Sequence, residues 1–167
     1  MTQEIKNLDA LINRISFDLV NEKILDENQI NKMLGILTND GVYAWWVYSK
    51  KELEWKFTNN VDIFRRYNLI KLLLILEKLN FLFNKKIIED KISEICKKQS
   101  DIDKLNSKKE KSEKEKNEIK KLKSEQNELL NSFFHYLSED LSLLLFFREV
   151  LEKILIYARY HAKAMGN

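Results

Sequence analysis

The stretch Asp40-Gly41-Val42-Tyr43-Ala44-Trp45-Trp46-Val47-Tyr48-Ser49-Lys50-Lys51 holds two of the chain's three tryptophans, two of its six tyrosines and one of its three glycines. Asp40 is a good N-cap and Gly41 a tolerable first-turn residue, so a helix is expected to begin here. Ala44, Val47 and Tyr48 fall on one face, and Tyr43, Trp46 and Lys50 on the next. The aromatics are too many for one stripe. The helix should therefore be buried nearly all round until Lys50 and Lys51 return it to water. Trp45 and Trp46 are read as mainly structural, a hub around which shorter amphipathic helices are arranged.

Working outward, the chain of 167 residues contains no proline and only three glycines. A β-rich fold needs turn residues at short intervals, so this composition predicts an all-α protein. The charge is nearly balanced, +3 from 29 basic and 26 acidic residues, which permits an acidic polymer as partner without demanding one. Cys96 is alone, and His135 and His161 stand far apart, so neither a disulfide framework nor a metal site is expected. The start, Met1-Thr2-Gln3-Glu4, lacks the basic-then-apolar pattern of a signal peptide. The longest apolar runs, Leu69 to Leu76 and Leu141 to Phe147, fall well short of the about 20 residues that span a bilayer. A soluble, cytoplasmic protein is expected, with no membrane partner.

Thr2 can cap a first helix whose stripe runs Ile5, Leu8, Ile12, Ile15 and Leu19, widened by Leu11. Asp26 followed by Gln29 resembles a capping box opening a second helix with Ile30, Met33, Leu34 and Leu37. Thr38-Asn39-Asp40 is read as the break before the aromatic helix, which should fray around Leu53 to Phe57. Asn60 can cap a fourth helix carrying Phe64, Tyr67, Leu72, Leu73, Leu76, Leu79, Leu82 and Phe83, wide enough to be central. Ser138 can cap the last helix, with Glu139 and Asp140 well placed at its positive end. Its apolar residues run Leu143, Leu144, Phe147, Leu151, Ile154, Leu155 and Ala158.

From Lys85 to Leu130 the composition changes: fourteen lysines against eleven acids, and no aromatic residue. Ile92, Ile95, Ile102 and Leu105 precede a polar gap, Asn106 to Glu118; Ile119, Leu122, Leu129 and Phe133 follow it. The two sets mirror each other. Leu105 with Ile119, Ile102 with Leu122 and Ile95 with Leu129 share one sum of residue numbers, and Ile92 with Phe133 and Gln99 with Gln126 differ from it by one. Constant sums are what an antiparallel helical hairpin requires, folding back near Ser112. A single long helix in an intermolecular coiled coil is the rival arrangement. The expected architecture is a compact bundle of about five helices from residues 1–84 and 134–167, with 85–133 projecting as a lysine-rich hairpin arm.

No phosphate loop, dinucleotide fingerprint, metal spacing or nucleophile beside a base is present, so the chain is read as non-catalytic, without a cofactor or small-molecule substrate. Glu149 and Glu152 are carboxylates three apart, but beside Arg148 and Lys153 they read as a salt-laced helix face. The candidate working surfaces are basic: Lys50 with Lys51, Arg65 with Arg66, and Arg148 with Arg159 and Lys163. No acid follows close to Arg65 and Arg66, so a solvated face and a phosphate-contact role both stand. Arg148, Arg159 and Lys163 share one stripe with Glu152. Glu152 is expected to pair with Arg148 at i,i+4, which leaves Arg159 and Lys163 free.

Two segments resemble a known family, the small α-helical subunit of Cmr-type (type III-B) CRISPR RNA-guided effector complexes. One runs from Lys32-Met33-Leu34 through Thr38-Asn39-Asp40-Gly41 to Tyr48-Ser49-Lys50. The other is Arg148-Glu149-Val150-Leu151 followed by Arg159-Tyr160 with Ala162 and Ala164. Asp9-Ala10 and Arg14 are compatible with it. The lysine-rich segment would be an insertion, and Val150 and Ala158 depart from the family's alanine and basic residue. The resemblance implies a non-catalytic subunit of an antiviral ribonucleoprotein complex. It would stack with copies of itself and with other subunits in a minor filament, and contact the guide–target RNA backbone through its basic residues. A protein that leaves sequence reading to base pairing needs cations for the backbone and no base-reading motif. The alternative is a coiled-coil adaptor or scaffold that docks a protein partner and binds no nucleic acid.

Overall fold

A computed structural model of the chain describes residues 2–79 and 86–166, with the side chains of 2–6 excepted. Every element among the described residues is helical. They are α1 (Thr2–Asn21), α2 (Glu27–Asp40), α3 (Val42–Glu52), α4 (Val61–Arg66), α5 (Asn68–Leu76), α6 (Glu89–Asn106), α7 (Glu113–Ser138) and α8 (Leu141–Ala164). No described helix is long and apolar enough to cross a membrane. The capping role of Thr2 and the places of Ile5, Leu82 and Phe83 lie outside the described side chains.

α8 packs against three other helices, α1, α2 and α7. Its buried face is Phe147, Val150, Leu151, Ile154, Leu155, Ala158 and Ala162, the 3-4 spacing of an amphipathic helix. α1 meets it with Ile12, Ile15 and Leu19, all fully buried. Between them lies the buried Ser16, whose Oγ is 2.7 Å from its own helix's Ile12 O and 2.9 Å from Ile154 O. A hydroxyl at that depth needs such an acceptor, and here it ties two helices together. α2 opens on the expected capping box: Gln29 N donates to Asp26 Oδ1 at 2.7 Å, and Asp26 N donates to Gln29 Oε1 at 3.0 Å.

The aromatic helix differs from expectation at both its start and its surface. α2 continues through Thr38, Asn39 and Asp40, and Gly41 serves as both the end of α2 and the cap of α3, at φ +92° and ψ −172°. That conformation is open essentially only to glycine, so the break sits on Gly41 and Asp40 is not the N-cap. α3 buries one face alone: Val42, Trp45, Trp46 and Ser49. Tyr43 is 63% exposed and Val47 43%. The buried rings meet α7 and α8: Trp45 lies 6.1 Å from Phe147 and Phe133 lies 5.8 Å from Phe147, both edge-on. Such pairs add about 0.5–1.5 kcal/mol beyond area burial.

The helix buried nearly all round is instead α5, with Leu69, Ile70, Leu72, Leu73, Ile75 and Leu76 in the core. The long fourth helix is two. Asn60 caps α4, accepting from Ile63 N at 3.1 Å, but Tyr67 is extended at φ −65° and ψ 139° and separates α4 from α5. The break has a packing reason: α4 leaves Val61 and Ile63 exposed, while the run after Asn68 is almost wholly apolar and must be enclosed. The last helix also begins later than expected. α7 runs through Ser138, whose Oγ donates to His135 O, and Asp140 is the cap of α8, accepting from Ser142 N at 2.8 Å and Leu143 N at 3.2 Å.

α6 and α7 pack along one another. Gln126 Nε2 donates to Gln99 Oε1 at 3.1 Å and to Ile95 O at 3.2 Å, and Lys98 pairs with Glu125 at 2.7 Å. Nearer the link between the helices, Lys108 pairs with Glu115 at 2.6 Å, so positions that rise on α6 meet positions that fall on α7. Ser112 caps α7 in a second capping box, with Glu115. The expected boundary at 133/134 falls inside α7. Ile87, Ile88, Ile92, Ile95, Cys96, Leu130 and Phe133 belong to the same buried core as α1–α5 and α8, whereas the buried Ile102 and Ile119 lie outside it.

Candidate nucleic-acid interface

The seven basic residues of interest stand on three helices with different neighbours, so the fold gives them separate environments. Lys50, in the last turn of α3, is the most enclosed. Its Nζ donates to Asn131 Oδ1 of α7 at 3.1 Å and sits 5.3 Å from the centre of the Trp46 ring. Burial holds its pKa below the ordinary lysine value, because a cation is disfavoured away from water. Lys50 is thus part of the packing between α3 and α7. Lys51, one residue on, points to solvent and makes no ion pair among the described residues.

Arg65 and Arg66 end α4 and part company. Arg65 Nη1 meets Glu89 Oε1 of α6 at 2.7 Å. The hydrogen bond to Glu89 raises the guanidinium pKa further, opposed by modest burial. The acid that local sequence did not provide comes from 24 positions away. Arg66 is exposed and has no ion pair among the described residues.

Arg148 does not pair with Glu152. It reaches across to α2, where its Nη2 donates to Thr38 O at 2.7 Å. Carbonyls at a helix C-terminus carry partial negative charge and lack intrahelical donors, so a guanidinium is a suitable partner there. Arg159 has its Nε buried with no acceptor, while its guanidinium carbon lies 5.7 Å from the Tyr160 ring centre. Lys163 is exposed. Neither Arg159 nor Lys163 makes an ion pair among the described residues, so of these seven the free cations are Lys51, Arg66, Arg159 and Lys163.

Two polar features escaped the sequence reading. Asn131 accepts from both Trp46 Nε1 and Lys50 Nζ, over separations of 85 and 81 residues that no local pattern signals. Glu77 is buried and accepts from the backbone N–H groups of Ile88 and Glu89, so it caps the start of α6 from a distance. Burial pushes its pKa above the ordinary carboxylate range, with the neighbouring charges of Glu89 and Asp90 adding to the push and the two N–H donors opposing it. No group of three metal-ligating side chains is found among the described residues.

Protein-family models, curated proteins and solved structures return no match to the chain.

Proposed function

We propose that the chain is a non-catalytic small subunit of a type III-B CRISPR antiviral ribonucleoprotein complex. In this reading it stacks with copies of itself and with other subunits in a minor filament and contacts the guide–target RNA backbone through basic residues. One observation supports this above the others. The two segments that carry the resemblance, 32–50 and 148–164, are far apart in sequence yet adjacent in the fold. α2 packs on α8, Arg148 of one segment donates to Thr38 O of the other, and Trp45 meets Phe147 beside them. Residues that match a family for a structural reason should be neighbours in that way. The four unpaired cations then supply phosphate contacts, which position a duplex without reading its bases.

Within this reading α6 and α7 form an antiparallel hairpin inserted into the bundle, its base buried in the common core and its outer part, between Gln99 and Gln126, projecting. A second reading, a coiled-coil adaptor that docks a protein partner and binds no nucleic acid, is favoured by two features of that outer part. Its apolar seam continues past the core through Ile102 and Ile119, and acids of that part engage lysines, Glu115 with Lys108 and Glu125 with Lys98 at its base.

The readings separate on salt dependence of binding. Arg159→Ala/Lys163→Ala should weaken target-RNA binding by the assembled complex for every sequence. It should also flatten the dependence of log affinity on log salt by about one unit for each phosphate-binding cation removed. Arg66→Ala should act in the same direction, while Arg65→Ala, already engaged by Glu89, should leave the slope unchanged. A slope unaltered by both Arg66→Ala and the α8 double variant overturns the reading and leaves the adaptor.

A further inference from the structure

The C-terminal half of α8 carries a second kind of surface. Lys153, Tyr157, Tyr160 and Ala164 follow at spacings of four, three and four, and all four are exposed. Residues so spaced form one row along a helix. Tyr157 is 38% exposed and Tyr160 62%, although burying an aromatic ring is among the most favourable things a fold can do with it. From Lys153 to Gly166 the chain has no acidic residue, while Lys153, Arg159 and Lys163 flank the rings without an ion pair among the described residues. The guanidinium of Arg159 lies over the Tyr160 ring, 5.7 Å from its centre, so the cation and the exposed ring form one contact pair. Asp18, the acid that lines the groove between α1 and His161, is engaged by Lys78 at 3.7 Å.

Two exposed aromatic rings, beside cations that make no ion pair among the described residues although Glu152 shares the stripe of Arg159 and Lys163, suit a ligand that brings both π-faces and negative charge. A single-stranded nucleic acid does so: each base offers a face to an aromatic ring and each phosphate an anion to a cation. A duplex hides its base faces in its own stack and would use only the cations. Cβ atoms three residues apart on a helix lie about 5–6 Å from one another, a separation that successive unstacked bases of a stretched strand can follow.

We propose that this row binds unpaired nucleotides, with Tyr157 and Tyr160 stacking on bases and Lys153, Arg159 and Lys163 meeting phosphates. The inference rests on the reading that the C-terminal half of α8 faces nucleic acid, and it adds that this half takes single strands through their bases.

The test uses the full chain and fluorescence anisotropy with three probes: an oligothymidylate of about 15 nucleotides, an abasic strand of equal length and charge, and a blunt duplex. An oligouridylate arm separates ribose from deoxyribose strands. The parent should bind oligothymidylate about tenfold or more tightly than the abasic strand, since stacking contributes only where bases exist. Tyr157→Ala/Tyr160→Ala should remove that difference and Tyr157→Phe/Tyr160→Phe should retain it, with unchanged helical circular dichroism in both. Arg159→Ala/Lys163→Ala should weaken both strands alike. Equal, salt-dependent binding of thymidylate and abasic strands by the parent overturns the stacking inference while leaving the cationic reading in place. Absence of salt-dependent binding to all probes overturns both.

Discussion

Trp46 and Asn131, 85 positions apart, are joined by a hydrogen bond of 3.1 Å from the indole Nε1 to the amide oxygen, and the same oxygen accepts from Lys50 Nζ. The bond fixes α3 against α7 at the point where the aromatic core meets the basic end of the helix. Asn131→Ala would leave a buried indole N–H without an acceptor and Lys50 without its partner. The loss should be about 1–3 kcal/mol in urea unfolding, because an orphaned donor retains its full desolvation cost. Asn131→Asp keeps the acceptor and adds a charge opposite Lys50, so it should stay close to the parent at neutral pH. Trp46→Ala should cost more, about 3–5 kcal/mol, through the cavity it leaves. An Asn131→Ala protein as stable as the parent would show that the amide is a bystander.

The two internal glycines should respond in opposite directions. Gly35 lies inside α2 on an exposed position where an added Cβ meets nothing within 4 Å. Gly35→Ala should raise stability by about 0.5–1 kcal/mol, as the helix loses its most flexible residue. Gly41 has equal room for a Cβ, but its φ of +92° is strained for any L side chain. Gly41→Ala should therefore cost about 1–3 kcal/mol through the backbone alone. Thermal melts of the two variants that moved the same way would contradict the assignment of Gly41 as the joint between α2 and α3.

Stability should fall on both sides of an acid optimum, for different residues. Burial raises the Glu77 pKa in the folded state, so the native protein binds more protons than the unfolded chain above the ordinary value of 4.5. Its contribution is complete below that value and is lost as pH rises through the raised pKa. Glu115 and Glu125 are shifted the other way, by hydrogen bonds from Lys108 and Lys98. Their contribution is present above the ordinary carboxylate value and is lost as pH falls through the lowered ones. Glu77→Gln keeps an acceptor for the start of α6 and removes the titration. Urea midpoints of this variant should decline less than the parent's from pH 4.5 toward neutrality, with the acid limb unchanged. Parallel profiles for the two proteins would refute the role given to Glu77.

What the sequence made legible was whatever depends on spacing along one helix. The capping box at Asp26 and Gln29, the stripe of Ile12, Ile15 and Leu19, and the facing of Gln99 and Gln126 all follow from local periodicity or mirrored register. Exposure of Tyr43 and Val47 was not legible, because the number of neighbours a helix will have is a property of the whole chain. Composition pointed to α3 as the enclosed helix, whereas α5 has that place. The same limit applied to the basic residues. Arg65 and Arg148 find their partners at Glu89 and Thr38, 24 and 110 residues away, and only the fold separates these engaged cations from the free ones. The split at Tyr67 had no local signal either, since neither proline nor glycine marks it.

The outer part of α6 and α7 should be removable, but only from the right positions. A cut from Lys91 to Gln126, the larger part of the lysine-rich arm expected from the mirrored register, would take Ile92, Ile95 and Cys96 out of the core, and these are almost fully buried there. Removing two isoleucines and a cysteine from close packing should cost several kcal/mol, at about 2–5 for each isoleucine truncation, which approaches the whole stability of a domain. Gln99 and Gln126 mark a better boundary. Their amides are 3.1 Å apart, so the two chain ends there are already neighbours and a short glycine–serine linker can join them. The segment 100–125 contributes no side chain to the common core, its own buried residues Ile102 and Ile119 leave together, and the hydrogen bond it loses outside α6 and α7, from Asn59 Nδ2 to Asp103 Oδ2, is an exposed one. The shortened protein should unfold cooperatively in urea. Its m-value should be lower in proportion to the surface removed, and the Trp45 and Trp46 fluorescence should remain native-like. The longer deletion should lose cooperativity under the same conditions. If the 100–125 deletion also loses cooperativity, the outer part is integral to the bundle and the inserted-hairpin reading falls.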